Sequence, residues 1–273
     1  MALAGAVARL KGLLAARPTK GLGVDDPQTT ILRRDIIRSK PFLRKLYREW
    51  YELILESLPR VEGRVLELGS GAGFFQEVLP SLLTSEIVAW DGVALVTDGR
   101  RLPVRSGSLR AIVMTDVFHH FSDPRSFLRE AARCVRPDGA VAMVEPWVTA
   151  WSRIVYRHLH HEPFVPAASE WEFPPEGPLS GANGALPWIV FRRDRLRFER
   201  EFPEWSIDRV KPLMPVRYLL SGGVSLRSLM PGFTFGAWRL AEEALSPIMD
   251  AVAMFALIVL RRRPGTEGAS EAG

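Results

Sequence analysis

The chain has 273 residues, of which 47% are hydrophobic and 25% charged, a balance typical of a globular protein with one large core. Its net charge of +5 is scattered, without the long basic block interleaved with aromatics that nucleic-acid binding favours. One cysteine, Cys134, cannot form an internal disulfide, and Arg9 and Lys11 interrupt the first apolar run. These features exclude a disulfide-stapled secreted fold and predict a cytoplasmic protein without a nucleic-acid partner.

Residues 1–60 are predicted to form an N-terminal helical segment. Near its start, four apolar residues share one helical face: Leu3, Val7, Leu10 and Leu14. That face fits a helix packed on the body or a weak basic membrane-surface helix. Residues 29–59 repeat apolar positions every three to four residues, and Pro41 is expected to divide them into two helices.

Residues 61–161 alternate short apolar runs with helical patterns. The predicted strands are GRVLELG (63–69), EIVAWD (86–91), ALVTD (94–98), AIVMTD (111–116) and DGAVAMVEP (138–146). The predicted helices are FFQEVLPSLL (74–83), DPRSFLREAARCVRP (123–137) and WVTAWSRIVYRHLHH (147–161). Such alternation implies a doubly wound parallel sheet, in which the loops after the strands meet at one ligand-binding edge.

The rest of the chain lacks this regular alternation and differs in composition. Residues 162–250 begin with a proline- and glycine-rich insertion and are predicted to supply an acceptor cap and late core elements, including a helix at 193–205 and a strand at 206–214. The apolar run at the start of residues 251–263 is too short for a membrane span, which needs about 20 residues, and is predicted to be the last core strand. The two late strands predict an antiparallel pair at the sheet edge. Residues 264–273 are predicted to be disordered.

The stretch VLELGSGAGFF (65–75) places three glycines directly after a predicted strand, which fits two kinds of nucleotide cofactor. The dinucleotide fingerprint G-x-G-x-x-G is met by Gly69, Gly71 and an acid about twenty residues on, Asp91. The third glycine of the fingerprint is missing, because the last glycine of the loop is Gly73 and Phe74 occupies the position that the fingerprint requires. A bulky side chain there disfavours close packing beside a pyrophosphate.

The second candidate is S-adenosylmethionine (SAM), which has no phosphate but carries a sulfonium, an amino acid end, a ribose and an adenine. Its binding needs a close approach of the backbone, which glycine permits, and carboxylates for the amino group and the ribose hydroxyls. Glu67 precedes the loop, and Asp91 and Asp98 end two predicted strands. The sequence therefore favours SAM over a dinucleotide.

Three motifs occur in order: an E-x-G-x-G-x-G loop from Glu67, a D-x-x-x-LP segment from Asp98, and a helix ending in RPDG (136–139). From Gly63 to Pro146 the chain resembles the class I SAM-dependent methyltransferases, in particular their small-molecule group. The resemblance implies a Rossmann-like seven-stranded sheet with an antiparallel last strand, and SAM as the cofactor.

The resemblance also implies a role for individual residues. Glu67 contacts the amino end of SAM, Asp98 with Gly99 beside it accepts from the adenine amino group, and Asp116 and Val117 flank the methionine part. The implied cofactor-binding set is Glu67, Gly69, Ser70, Gly71, Gly73, Asp91, Asp98, Gly99, Asp116 and Val117.

One departure from the family concerns the ribose acid. Family members usually carry a helix between that acid and the third strand, whereas only GVALVT separates Asp91 from Asp98. The helix is missing or reduced to a turn, so that either Asp91 reaches the ribose or Trp90 covers the adenine.

Methyl transfer from a sulfonium depends on proximity and orientation, and it needs a general base only where the acceptor must lose a proton. His160 and His161, at the end of a predicted helix, are the candidate catalytic bases. The surrounding HLHHE run lacks two histidines four residues apart on one helical face, so no metal site is predicted.

Seven aromatic residues in the predicted cap are candidates for an apolar acceptor pocket or for ordinary core packing. They are Phe164, Trp171, Phe173, Trp188, Phe233, Phe235 and Trp238. An apolar or lipid-linked small molecule is favoured as the acceptor over a small polar one, and a peripheral membrane association stays open. The alternatives to a methyltransferase are a non-catalytic SAM-binding protein of the same fold and an NAD(P)-dependent oxidoreductase.

Overall fold

The computed structural model describes residues 27–71, 73–160, 162–174, 177 and 181–264, and seven of the apolar runs in these ranges form strands. They are β1 (Arg64–Leu68), β2 (Leu83–Glu86), β3 (Leu95–Val96), β4 (Leu109–Thr115), β5 (Val135–Pro146), β6 (Trp205–Leu213) and β7 (Phe255–Arg262). They make one sheet in the order β3-β2-β1-β4-β5-β7-β6. Strands β1 to β5 pair in parallel, and β7 lies antiparallel between β5 and β6. The predicted seven-stranded sheet with an antiparallel last strand is confirmed.

Helices precede the sheet and connect its strands. They are α1 (Pro27–Ser39), α2 (Pro41–Ser57), α3 (Pro124–Cys134), α4 (Ala150–Leu159), α5 (Leu186–Trp188), α6 (Arg195–Glu201), α7 (Arg217–Ser221), α8 (Phe235–Glu243) and α9 (Met249–Val252). Pro41 begins α2, where a missing N–H costs nothing, and so separates the two N-terminal helices as predicted. Asp123 caps α3 by accepting from the backbone N–H of Ser126, also as predicted.

Both faces of the sheet are buried, because successive side chains of its strands enter two separate cores. In β4, Ile112 and Met114 pack on the face covered by α3, α5 and α6. Ala111 and Val113 pack on the opposite face, which α2 and α4 cover. The alternation confirms a doubly wound α/β fold and leaves the loops at the carboxyl ends of the parallel strands as the open edge.

The segment after the glycine loop departs from the prediction. The expected helix at 74–83 is a single 3-10 turn, Phe75–Glu77, and the expected strand at 86–91 is wrong because β2 ends at Glu86. Pro80 removes a helical donor, and Phe75 stacks on Tyr51 of α2 with ring centroids 4.4 Å apart. The chain therefore enters the sheet after fewer residues than predicted. Strand β2 pairs with β1 several residues before the predicted position.

The late elements behave largely as predicted. The first residues of the run at 251–260 belong to the short helix α9, and the rest of the run forms β7, which is buried through Leu260. No described helix has both the length and the apolarity to cross a bilayer. The predictions for residues 1–26, including the membrane-surface helix, and for the disordered tail at 265–273 lie outside the described residues.

Candidate functional site

A cleft opens at the carboxyl ends of β1, β2, β3 and β4. Its described lining comprises Thr30, Arg33, Ile37, Tyr47, Tyr51, Glu67, Leu68, Gly69, Ser70, Gly71, Gly73, Glu86, Ile87, Thr97, Asp98, Gly99, Arg100, Thr115, Asp116, Val117, His120, Phe121, Ser122, Gly177, Tyr218 and Val224. Nine of the ten predicted cofactor residues are in this set. The exception is Asp91.

The glycine loop is held close to its neighbours. Gly69 has φ of +63°, and a Cβ added to it would lie 2.5 Å from Cγ2 of Val117. A Cβ on Gly73 would lie 2.7 Å from the hydroxyl of Tyr51. Ser70 fastens the loop to β2, because its hydroxyl accepts from the N–H of Ser85 at 3.0 Å. The backbone of the glycine loop therefore lines the cleft directly, and side chains on these glycines would fill the cleft.

Glu86, which the sequence reasoning missed, ends β2 and lines the cleft. Its Oε2 accepts from the N–H of Gly71 at 3.0 Å, and its Oε1 accepts from the N–H of Ile87 at 2.8 Å. An acid at the end of the second strand is where a ribose-binding carboxylate is expected. The acid of LTSE (83–86) was the available signal, but the misplaced strand boundary hid it.

Asp91 lies in the turn between β2 and β3, is exposed, and does not line the cleft. Its predicted place at the end of β2 is wrong, because that strand ends five positions earlier. The family helix before Asp98 is nevertheless absent from the described chain between β2 and Asp98, as the sequence predicted. Residues 87–94 connect β2 to β3 through turns, and neither Asp91 nor Trp90 lies against the cleft.

Glu67 is buried at the base of the loop. Burial raises the pKa of its carboxyl to about 8, while a hydrogen bond with Ser70 acts in the opposite direction. A neutral acid at neutral pH is therefore expected in the ligand-free protein. A bound ammonium group beside it would favour the carboxylate.

Asp98 and Gly99 follow β3 as predicted. The carboxylate of Asp98 accepts from the Arg100 guanidinium at 2.6 Å and from the Arg100 backbone N–H at 2.9 Å. Burial raises the pKa of Asp98, but the bonds from Arg100 outweigh it and keep the acid ionised. Gly99 is packed against Phe121, since an added Cβ would lie 2.7 Å from that ring.

Asp116 and Val117 follow β4 and reach the cleft from the other side. Asp116 adopts φ of +62°, and burial raises the pKa of its carboxyl to about 6. The N–H of Val117 donates to Oε1 of the buried Glu145 at 2.8 Å, which fixes this turn to β5. The positive φ of a non-glycine residue marks a strained position that its surroundings hold in place.

The far end of the cleft is lined by tyrosines that the sequence analysis did not select. Tyr47 and Tyr51 lie one turn apart on α2, and Tyr218 lies in the first turn of the facing helix α7. Arg217 anchors α7, because its guanidinium bonds Glu49 of α2 at 2.6 Å and Glu242 of α8 at 2.5 Å. The spacing of Tyr47 and Tyr51 on α2 was visible in the sequence, but the packing of α7 against them was not.

None of the seven predicted pocket aromatics lines the described cleft. Trp171 is buried and donates to Asp194, and Phe235 packs on Phe42 with ring centroids 5.1 Å apart. Phe233 is 84% exposed. Apart from the exposed Phe233, the interpretation of these residues as ordinary packing fits the structure better than the pocket interpretation.

A cluster of histidines and acids borders the cleft below Asp116. His119 is fully buried between two acids, with Nδ1 2.8 Å from Oε2 of Glu145 and Nε2 3.3 Å from Oε2 of Glu162. His160, one of the two predicted bases, places Nε2 3.1 Å from Glu162. His160 is not part of the cleft lining, and His161 lies outside the described residues.

Burial alone would lower the pKa of His119, but its ion pairs with Glu145 and Glu162 outweigh burial and hold the pKa well above its usual range. Burial would raise the pKa of Glu162, but its ion pair with His119 and its hydrogen bond with His160 outweigh burial and hold the pKa well below its usual range. Burial lowers the pKa of His120 to about 4, so its imidazole is neutral at physiological pH.

The loop also discriminates between the two candidate cofactors. In dinucleotide-binding folds the glycine loop leads into a helix whose N-terminus binds the pyrophosphate. Here it leads into the three-residue turn Phe75–Glu77, and Phe74 is buried against Tyr51. The described segment offers no helix N-terminus to a pyrophosphate, in agreement with the choice of SAM.

Residues 66–143 match the family model described as Methyltransferase domain. This segment covers the glycine loop, Glu86, Asp98, Asp116 and the helix α3, which are the elements that build the cleft. No curated protein sequence gives a significant match. The resemblance seen in the sequence and the assignment of SAM as the cofactor are confirmed.

Solved structures align with most of this chain. Geranyl diphosphate C-methyltransferase from Streptomyces coelicolor A3(2), in complex with Mg2+, geranyl diphosphate and S-adenosyl-L-homocysteine, has a TM-score of 0.52 at 14% identity, covering 95% of this chain and 97% of its own. A geranyl diphosphate methyltransferase in complex with SAM has a TM-score of 0.48 at 15% identity, with coverages of 91% and 96%. A putative methyltransferase bound to the Haloferax volcanii Trm112 activator has a TM-score of 0.47 at 14% identity, with coverages of 80% and 91%.

Proposed function

We propose that this chain, whose residues 66–143 form a class I SAM-dependent methyltransferase domain, transfers the methyl group of SAM to a small, largely apolar molecule. The observation that carries the proposal is the continuity of the cleft. Its glycine loop and acids suit the cofactor, and the same cavity extends to the tyrosines of α2 and α7.

The donor half matches the parts of SAM. Glu67 lies where the ammonium group is expected, Glu86 faces the position of the ribose, and Asp98 takes the adenine amino group. Glu86 replaces Asp91 in this assignment, because only Glu86 combines the end of β2 with a contact to the glycine loop. The sulfonium then points towards Asp116, where β4 ends.

The acceptor half is mainly aromatic and aliphatic. Ile37 and Val224 join Tyr47 and Tyr218 on its walls, and Arg33 of α1 adds a positive charge to the lining. Tyrosine faces also favour a cation, so that they suit the sulfonium as well as an apolar acceptor. Such walls favour a small molecule with an apolar body over a peptide or a nucleic acid.

Chemically, these residues hold the acceptor in line with the methyl group and exclude water. Asp116 lies at the junction of the two halves, and its raised pKa of about 6 leaves it mostly ionised near neutral pH. It is therefore the candidate to accept a proton from the acceptor, in preference to His160, which lies behind the cleft wall.

Calorimetric titration with SAM and with NADH tests the cofactor. Binding of SAM alone is expected, and binding of NADH without SAM would overturn the proposal. Incubation with SAM carrying a labelled methyl group and fractionated cell extract tests the reaction. Label in an organic-extractable small molecule is expected, whereas SAM binding without any transfer identifies a non-catalytic SAM-binding protein.

A further inference from the structure

The nitrogen and oxygen atoms of three side chains converge beside the cleft. One ligand atom from each of His119, His120 and Glu162 lies within 4.8 Å of the other two. The Nε2 atoms of His119 and His120 lie 3.3 Å and 4.0 Å from the Glu162 carboxylate. His119 and His120 follow β4 directly, and Glu162 follows α4, so the group is assembled by two distant segments.

Each histidine is oriented by its other ring nitrogen. Nδ1 of His119 lies 2.8 Å from Oε2 of Glu145, and Nδ1 of His120 lies 3.0 Å from the carbonyl oxygen of Gly181. With a metal bound, a proton on each Nδ1 would satisfy both acceptors and leave a lone pair on each Nε2 for the metal. Protein metal sites use this arrangement, in which a carboxylate or a carbonyl fixes the tautomer of a ligating imidazole.

The Nε2 atom of His119 is also unusual in its surroundings. It is buried and makes no hydrogen bond within the described part of the chain, although it lies 3.3 Å from Oε2 of Glu162. With metal–ligand distances of about 2.1 Å, that separation corresponds to an angle of about 104° at the metal, close to the tetrahedral value. In the metal-free protein a proton on this nitrogen faces Glu162, and a metal ion bound there would replace that proton.

We propose that His119, His120 and Glu162 bind a first-row divalent transition metal of the Zn2+ type, with a remaining coordination position open towards the cleft. Two imidazoles and one carboxylate suit Zn2+, Co2+ or Fe2+, whereas Mg2+ prefers oxygen ligands throughout. The proposal departs from the sequence-based expectation of no metal, which considered only spacing within HLHHE. The structure supplies two of the three ligands from a different segment.

His120 connects this metal to the cleft, because it is also a lining residue. A metal at this wall can polarise an oxygen atom of the acceptor, a step that rests on the proposed methyl transfer. Metal binding itself does not rest on it, and can be measured without any acceptor or SAM.

The test uses tag-free protein stripped with a chelator and then titrated with Co2+, followed by its visible absorption bands, and with Zn2+, followed by calorimetry. One equivalent of each is expected to bind, with Co2+ bands typical of low coordination number, and excess Mg2+ is expected not to displace it. His120→Ala and Glu162→Gln are expected to weaken binding at least 10-fold, and His158→Ala, which removes an exposed histidine of the same run, to leave it unchanged.

An unchanged thermal unfolding temperature in the two ligand variants shows that they fold. Glu145→Gln is a further variant, expected to weaken binding through the orientation of His119. Equal Co2+ affinity and equal spectra in wild type, His120→Ala and Glu162→Gln would overturn the proposal, as would the absence of binding to the stripped wild-type protein. The two proposals can fail separately. Methyl transfer without metal binding would overturn only the metal site, and metal binding without methyl transfer would overturn only the proposed function.

Discussion

The two halves of the cleft are built in different ways. The donor half comes from one continuous stretch, in which the glycine loop, Glu86 and Asp98 follow three neighbouring strands and bond mainly to nearby backbone. The acceptor half proposed above brings together α1, α2 and α7 across more than a hundred residues of sequence. A donor site of this kind is recognisable from local motifs, whereas the acceptor site depends on how remote helices pack.

The largest expected effect belongs to Glu67 and concerns stability. Its folded pKa of about 8 lies above the ordinary value of 4.5, so between these pH values the unfolded chain releases a proton that the folded chain retains. The free energy of unfolding should therefore fall as pH rises from 4.5 to 8, by up to about 4 kcal/mol. Glu67→Gln should remove this component, measured by urea unfolding of the ligand-free protein at pH 5 and pH 8.

Glu62→Gln serves as the control, because Glu62 is exposed just before β1. Parallel pH profiles for wild type and Glu67→Gln would contradict the assignment of a buried neutral acid to the base of the donor half.

Gly69→Ala tests the packing of the donor loop. Its φ of +63° is strained for alanine, and the new Cβ would lie 2.5 Å from Val117, so a loss of about 3 kcal/mol in unfolding free energy is expected. Gly107 has φ of +64° with nothing within 4 Å of an added Cβ. Gly107→Ala should cost only about 1 kcal/mol, since it carries the strain without the clash. Equal losses in urea unfolding would show that Val117 does not press on the loop, and Val117→Ala should partly rescue Gly69→Ala.

Glu86→Ala separates the proposed ribose acid from the one predicted from the sequence. It removes the acceptor of two backbone N–H groups and the carboxylate offered to the ribose, so SAM affinity should fall about 30-fold, equivalent to about 2 kcal/mol. Asp91→Ala should change SAM affinity less than about two-fold, as expected for an exposed surface residue. Calorimetry on both variants decides the assignment, and the reverse order of effects would restore Asp91.

The smallest effect is expected in the acceptor half. Tyr218→Phe keeps the ring stacked on Trp50 and removes one hydroxyl beside the cleft, so KM for the acceptor should rise about five-fold, equivalent to about 1 kcal/mol, with SAM affinity unchanged. In Tyr156→Phe the lost hydroxyl donates to the carbonyl of Met254, away from the cleft lining, and acceptor KM should stay constant. A change in SAM affinity for Tyr218→Phe would mean that the two halves are not separate.

The site prediction placed Asp91 at the cleft because it placed the end of β2 wrongly. The apolar run EIVAWD has strand-like composition, and nothing within it shows that β2 ends at its first residue. The boundary is set by pairing with β1 and by the stacking of Phe75 on Tyr51, both of which are contacts between separate elements. Moving the strand by a few residues exchanged Asp91 for Glu86 at the cleft.

The sequence by itself determined the order of strands and helices, the glycine loop, the acids at Glu67 and Asp98, and with them the methyltransferase domain. These features are local, because hydrophobic period, capping residues and motif spacing act over a few residues. Only the tertiary structure decided that Glu86 faces the loop, that tyrosines of α2 and α7 line the acceptor half, and that His119 and His120 meet Glu162. Those contacts join segments far apart in the chain, and their geometry follows from packing of the whole sheet and its helices, which no single stretch of sequence encodes.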